Sequence, residues 1–256
     1  MSPFDRLLPD REKEELVKAA QERYACRVFD SPVSPSEYAA LSYVAGRFEA
    51  GSVRLRLCRV PERFFGGSLM GLGRVQGCSC LCLVCISDEK DTTLAGFCGE
   101  ALVLHAVRLG LTTCWLTGGY SRKMAEEICP EGFKILAVIA LGHAPAPSGL
   151  SRKRRELKKL CLSDPAQWPH VFLQAAMLVQ AAPSSGNSQP FLMDCRENTF
   201  MLDSSDRTRL ELGIGICHAS LAFRGPISWV FSEKKNEPMA ACILQIANLK
   251  TTPYNG

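Results

Sequence analysis

Two stretches of this sequence have residue types and spacing suited to chemistry. In Arg23-Tyr24-Ala25-Cys26-Arg27-Val28-Phe29, two arginines stand four residues apart at what reads as a helix end. If the chain leaves a helix there, both guanidiniums can converge on one anion, and their planar, always-charged donors suit phosphate. The plain alternative is a solvated helix end. In Pro183-Ser184-Ser185-Gly186-Asn187-Ser188-Gln189-Pro190, two prolines stiffen a run whose serines and amides add donors and acceptors to exposed backbone N–H groups. Such a loop can hold a polar heterocycle or a phosphate; the alternative is an ordinary surface turn. This run follows an alanine-rich helix end, Gln174 to Ala182, and enters the apolar stretch Phe191-Leu192-Met193.

Other candidate groups point to structure. Most of the 13 cysteines sit in apolar segments, where free cysteine acts as a small hydrophobe. Cys82-Leu-Val-Cys85 has metal-ligand spacing, but Cys78, Cys80 and Cys82 alternate with Ser79 and Leu81 as on a strand, and no second pair follows at zinc-ribbon spacing. No metal site is expected. His105 and His218 lie on apolar helices as satisfied core residues, His143 and His170 near loops, none in a triad-like setting.

Residues 11–22 form an amphipathic helix with Leu16, Val17 and Ala20 on its apolar side. Ser34-Pro35-Ser36-Glu37 opens a second helix to about Arg47, with Ser34 as N-cap and Glu37 completing a capping box. Ser52 to Arg59 alternates like a strand, and 61–77, with five glycines, reads as irregular. Cys78 to Ile86 is a buried strand, Gly99 to Leu109 a central helix apolar nearly all round, and Thr113 to Thr117 a short segment leading to Gly118-Gly119. A helix at 121–128 and a strand from Ile135 to Leu141 follow. After Pro145, Pro147, Gly149 and the basic run Arg152-Lys153-Arg154-Arg155 comes a second series. It has a helix at 166–181, strands at 191–195 and 199–203, an apolar helix at 209–223, and strands at 227–232 and 240–247. The shared order suggests an internal duplication, with halves 1–150 and 151–256, in an α+β or α/β class.

The bulk numbers set limits. A net charge of +4, from 30 basic and 26 acidic residues, is too mild to argue for nucleic acid. No apolar run reaches membrane-spanning length, so no membrane partner is expected. Met1 to Arg11 is too polar for a secretory signal, which makes the cytoplasm the expected location.

Together these motifs resemble the nitroreductase-like FMN flavoproteins. Ala182 to Phe191 looks like that family's flavin-contacting loop, and Arg23-x-x-x-Arg27-x-Phe29 like its N-terminal phosphate motif. Gly99 to Gly119 resembles its central helix and glycine turn. Ala140-Leu141-Gly142-His143 and residues 152–155 resemble its later strand and phosphate-side cations. The order departs from the family's. No Pro-Ser loop follows the helix at 36–47, where Glu49-Ala50-Gly51 stands instead, and Ala25 and Gly118 replace a common serine and carboxylate.

The resemblance implies an α+β fold of two pseudo-symmetric halves, with mixed, mainly antiparallel sheets and packed central helices. It implies a fused tandem variant, monomeric, with one FMN site per chain. Arg23, Arg27 and Arg154, with Lys153, would hold the phosphate and the pyrimidine side of the ring. Tyr24 and Ala25 would give backbone contacts, Gly118 and Gly119 would admit the ring, and Pro183, Ser184, Ser185 and Asn187 would close the site, with Ser188 and Gln189 behind them. The implied activity passes hydride from NADH or NADPH to a nitro compound or quinone, with no side chain required as acid, base or nucleophile. The alternative is a non-catalytic flavin-binding protein.

Overall fold

The computed structural model describes Phe4 and residues 8–66, 74–145, 153–204, 209–225, 227–232 and 240–244. The first series of elements is α1 (Asp10–Glu22), α2 (Pro35–Phe48), β1 (Val53–Arg59), β2 (Cys80–Ile86), α3 (Thr92–Arg108), β3 (Thr112–Leu116), α4 (Arg122–Ile128) and β4 (Lys134–Gly142). The second is α5 (His170–Ala181), β5 (Phe191–Arg196), β6 (Thr199–Ser204), α6 (Arg209–Ser220), β7 (Ile227–Phe231) and β8 (Ala240–Leu244). Residues 146–152 of the expected linker, Ala144 to Lys153, lie outside the described residues, among them Arg152 of the basic run, as do Gly67, Gly71, Gly73 and the end of the last expected strand.

Local signals account for most boundaries. Ser34 caps α2 as its spacing predicts: its hydroxyl accepts from Glu37 N at 3.3 Å while Glu37 Oε2 accepts from Ser34 N at 2.8 Å. Two boundaries differ by four residues or more. The expected helix from 166 begins at His170, because Pro165–Gln167 forms a separate 3-10 turn and Pro169 precedes the helix. α3 starts at Thr92 rather than Gly99, since the small and apolar residues Thr93 to Cys98 are already packed in the interior.

Each series builds a four-stranded sheet of the same order: β1-β2-β4-β3 and β5-β6-β8-β7. Pairing between these strands is antiparallel throughout, and parallel pairing is confined to isolated bridges such as Ala25 with Thr113. β2 is buried on both faces. Cys80, Cys82, Val84 and Ile86 point to the large core shared with the central helices, while Leu81, Leu83 and Cys85 point to a smaller core with Phe29, Phe64 and Phe65. Cys82 and Cys85 therefore face opposite sides of the sheet and serve as core hydrophobes. Among the described residues no group of three metal-ligating side chains converges, and no helix is long and apolar enough to cross a membrane.

The central helices α3 and α6 cross with their backbones in close approach. A Cβ on Gly96 would run into the Leu210 carbonyl, and one on Gly213 into the Thr93 carbonyl. One shift along the chain carries Gly96 onto Gly213 and Thr93 onto Leu210, so the crossing is symmetric between the two series.

The two core histidines differ. His218 is satisfied on both ring nitrogens. His105 is fully buried against Phe48, and neither nitrogen makes a hydrogen bond; its closest ionic neighbour is Glu12, with Nε2 at 3.6 Å from Oε2. The expectation of a satisfied residue fails here because the surrounding helix faces supply apolar atoms. Burial, reinforced by Arg108, pulls this imidazole from 6.5 down to about 4. Between those values the unfolded chain binds a proton that the folded chain refuses, so stability falls as pH drops through 6.5 toward 4. On going from pH 7 to pH 5, the wild type should lose about 2 kcal/mol more than His105→Leu in urea unfolding. Parallel losses would show that another group sets the dependence.

Candidate functional site

The second series contributes a loop whose shape is fixed by its own polar side chains. α5 ends at Ala181 with carbonyls that have no partner inside the helix. Arg154 caps them: Nη2 donates to Ala181 O at 2.8 Å and Nη1 to Ala182 O at 3.1 Å. A cation is also favoured there by the helix dipole. The same Nη1 donates to Asn187 Oδ1 at 3.1 Å, while Asn187 Nδ2 donates to Lys153 O at 3.0 Å. Gln189 is buried. Its Oε1 accepts from Arg155 N at 2.8 Å, its Nε2 donates to Lys153 O at 3.3 Å, and its own N–H donates to Ser184 Oγ at 2.8 Å. These bonds hold Asn187 (φ 57°) and Gln189 (φ 50°) in the left-handed region beside Gly186 (φ 56°). Residues 153–155 and 183–190 thus form one unit.

The first series contributes the arginine segment. α1 stops at Glu22, and the chain continues extended beside β3. Ala25 bridges Thr113, Cys26 N donates to Thr113 O at 3.0 Å, and Gln76 N donates to Arg27 O at 2.8 Å. An extended chain returns every second residue to the same face, which brings Arg23 and Arg27 out together. Arg23 is buried, with Nε 3.8 Å from Oε1 of the fully buried Glu100. Arg27 is half-buried and Lys153 exposed; among the described residues, neither side chain has a hydrogen bond or ion pair.

These pieces enclose a cavity of about 440 Å³. Its wall includes Arg23, Tyr24, Ala25 and Arg27 from the first series, and Lys153, Arg154, Pro183, Ser184, Ser185 and Asn187 from the second. Gly118 and Gly119 are not in the wall. Gly119 (φ 80°) turns the chain toward α4, where Tyr120 stacks on Phe64 and Ser121 N bonds Phe64 O at 2.7 Å. The residue just before them, Thr117, lines the cavity instead.

Sequence reasoning missed the remaining wall. Cys114 and Trp115 come from β3, and Leu210, Glu211 and Ile214 from one face of α6. Leu210 and Ile214 are spaced as core residues of an apolar helix, and nothing local distinguishes a cavity face from a packed one. For Trp115 a signal existed in Gly99: an added Cβ would collide with the Trp115 ring, so the glycine makes room for the indole on α3.

Residues 15–223 match the family model described as "Putative TM nitroreductase". A solved structure of this nitroreductase type from Thermotoga maritima MSB8 superimposes with a TM-score of 0.65 at 19% identity, covering 90% of this chain and 93% of that one. A Desulfovibrio desulfuricans nitroreductase in complex with FMN aligns at 25% identity over 59% of this chain and 96% of its own, with a TM-score of 0.48. A Desulfitobacterium hafniense DCB-2 nitroreductase with bound FMN aligns at 18% identity over 59% of this chain and 98% of its own, also at 0.48. No curated protein matches the sequence. With most of its length under the family model and the whole nitroreductase fold in place, the chain belongs to this nitroreductase family.

Proposed function

We propose that the chain binds FMN non-covalently in this cavity. We propose further that it is an oxidoreductase carrying hydride from NADH or NADPH to an electron-poor acceptor such as a nitro compound or quinone. The two series would then be a tandem repeat that does within one chain what two half-length subunits do together. The observation that carries the reading is the composition of the cavity wall. The arginine segment of one half and the Pro-Ser loop of the other meet around a single space, with Arg27 and Lys153 making no hydrogen bond or ion pair among the described residues.

The residues fit the group. Trp115, Leu210 and Ile214 give an apolar surface for a flat ring, the backbone around Ser184 and Ser185 gives donors, and the two cations, Arg27 and Lys153, suit a phosphate. When bound, the flavin would supply the hydride chemistry, and the protein would bind, orient and shield it. Arg23 has a different part from the one its spacing suggested. Its charge faces Glu100, so the phosphate falls to Arg27 and Lys153. Arg154 shapes the loop through Ala181, Ala182 and Asn187.

Titrating the apoprotein with FMN and with riboflavin tests this assignment. Arg27→Ala should weaken FMN about ten- to hundredfold and leave riboflavin nearly unchanged, because a charge-assisted phosphate contact contributes about 1.5–3 kcal/mol. Equal losses for both ligands would place the phosphate elsewhere, and a wild-type protein that takes up no flavin would overturn the reading. With flavin bound, oxidation of NADPH or NADH in the presence of a quinone or nitroarene tests catalysis. Absence of turnover would leave a flavin-binding protein.

A further inference from the structure

Behind the cavity wall lies a buried polar group that no step of the proposed chemistry uses. Glu100, on α3, has no exposed surface, and three side chains converge on it. Its Oε2 accepts from Trp115 Nε1 at 2.8 Å. Its Oε1 is 2.9 Å from His218 Nε2 and 3.8 Å from Arg23 Nε. Trp115 and Arg23 line the cavity; His218, on α6, does not.

Hydrogen-bond directions fix the protons. His218 Nδ1 is 2.9 Å from Leu178 O, and a carbonyl only accepts, so Nδ1 carries a proton. Across the other nitrogen, either an imidazolium donates to a carboxylate or a carboxylic acid donates to a neutral imidazole. Both arrangements hold one proton between Nε2 and Oε1. With the Arg23 guanidinium counted, both also give the group a single net positive charge. A buried carboxyl held in this way has no freedom to turn; it passes that rigidity to Trp115 through a hydrogen bond and attracts the Arg23 guanidinium by charge at 3.8 Å, beyond hydrogen-bond length.

We infer that Glu100 is the positioning residue of the cofactor cavity, fixing the Trp115 indole and the Arg23 guanidinium in its wall and tying both to α6 through His218. This rests on the FMN reading above and deepens it. Glu100 sets the part of the wall that faces the ring system, whereas Arg27 serves the phosphate.

Glu100→Gln is the direct test. The amide keeps the shape, an acceptor for Trp115 and a donor to His218, but it replaces the oxygen that faces Arg23 Nε with an NH2, so that donor faces donor. FMN and riboflavin should both bind about tenfold more weakly, by the same factor, and the visible absorption bands of the bound flavin should shift. A general loss of stability would lower the unfolding midpoint without moving those bands. Trp115→Phe, which retains a ring but removes the indole N–H, supplies a second reading if the glutamine variant does not fold. It should also weaken both ligands equally and shift the bands. Variants that bind both ligands as wild type does, with unshifted spectra, would overturn the assignment while the FMN reading stood. A wild-type protein that binds neither flavin would remove the FMN reading and this assignment with it.

Discussion

Alanine at Gly96 or at Gly213 should lower the unfolding free energy by about 3 kcal/mol or more, at the upper end of overpacking effects. The reason lies in what each new methyl would meet. On Gly96 it would strike the Leu210 carbonyl, and on Gly213 the Thr93 carbonyl. Both obstacles are helix backbone, so a rotamer change cannot relieve the clash; α3 and α6 must move apart. These helices carry much of the large core: Phe97, Ala101 and Leu104 from α3, with Leu212, Ile216 and Cys217 from α6. Separating them also disturbs the cavity, since Leu210, Glu211 and Ile214 come from the first turns of α6. Flavin affinity should therefore fall with stability in both variants. Gly46 provides the control. It is exposed near the end of α2 with nothing within 4 Å of an added Cβ, so Gly46→Ala should raise stability by about 0.5–1 kcal/mol through the helix preference of alanine. Urea unfolding of the three variants checks the set. Similar midpoints for Gly213→Ala and the wild type would mean that the helices do not cross so closely.

What the sequence showed depended on whether a residue's role is local. The Pro183–Pro190 loop was legible in part because some of its geometry comes from residues within it, namely the Ser184 hydroxyl, the left-handed Gly186 and Asn187, and the prolines that bound it; its bonds to residues 153–155 come from the fold. The capping box at Ser34 was legible for the same reason. Arg23 and Arg27 could be placed beside the cavity by their spacing, but their division of labour could not. The partner that engages Arg23 is Glu100, distant in the chain and joined to it only by the fold. Gly118 and Gly119 show the opposite case. A glycine pair permits both a ligand's approach and a tight turn; the positive φ of Gly119 shows the turn, and the pair lies outside the cavity wall. The helices were found from periodicity, yet α3 and α6 are apolar nearly all round, so periodicity could not say which of their faces meets a helix and which a cavity.

The chain should carry one flavin, not two, in a particle of 28.1 kDa. If the two halves are equivalent, a second cavity is expected at the symmetric place, and the structure shows what stands there. The shift that relates Gly96 to Gly213 carries Phe97 onto Ile214, a residue of the cavity wall. Phe97 instead has Phe4 edge-on against it, with ring centroids 5.1 Å apart, and Phe4 also lies 5.4 Å from Phe231 at the end of β7. Phe4 is only 6% exposed, so the aromatic ring fills this place from within the chain. The polar side of the symmetric position has also changed character. Where a Pro-Ser loop would follow α2, the chain has Glu49-Ala50-Gly51; Asp91 Oδ2 accepts from Ser52 N at 2.8 Å, and Glu49 Oε1 accepts from Leu55 N at 3.2 Å. Carboxylates stand there, Asp91 and the Arg54-paired Glu49, whereas Arg27 and Lys153 stand with Glu211 at the other cavity and leave it the more basic of the two. That cavity draws its wall from both halves of one chain, which is the ground for expecting a monomer. Flavin released by denaturation should therefore match protein at about one to one, and light scattering of the flavin-loaded protein should report a monomer. Two flavins per chain would show that Phe4 yields its place to a ligand. A dimer that loses its flavin on dissociation would show that the cavity is completed by a partner after all.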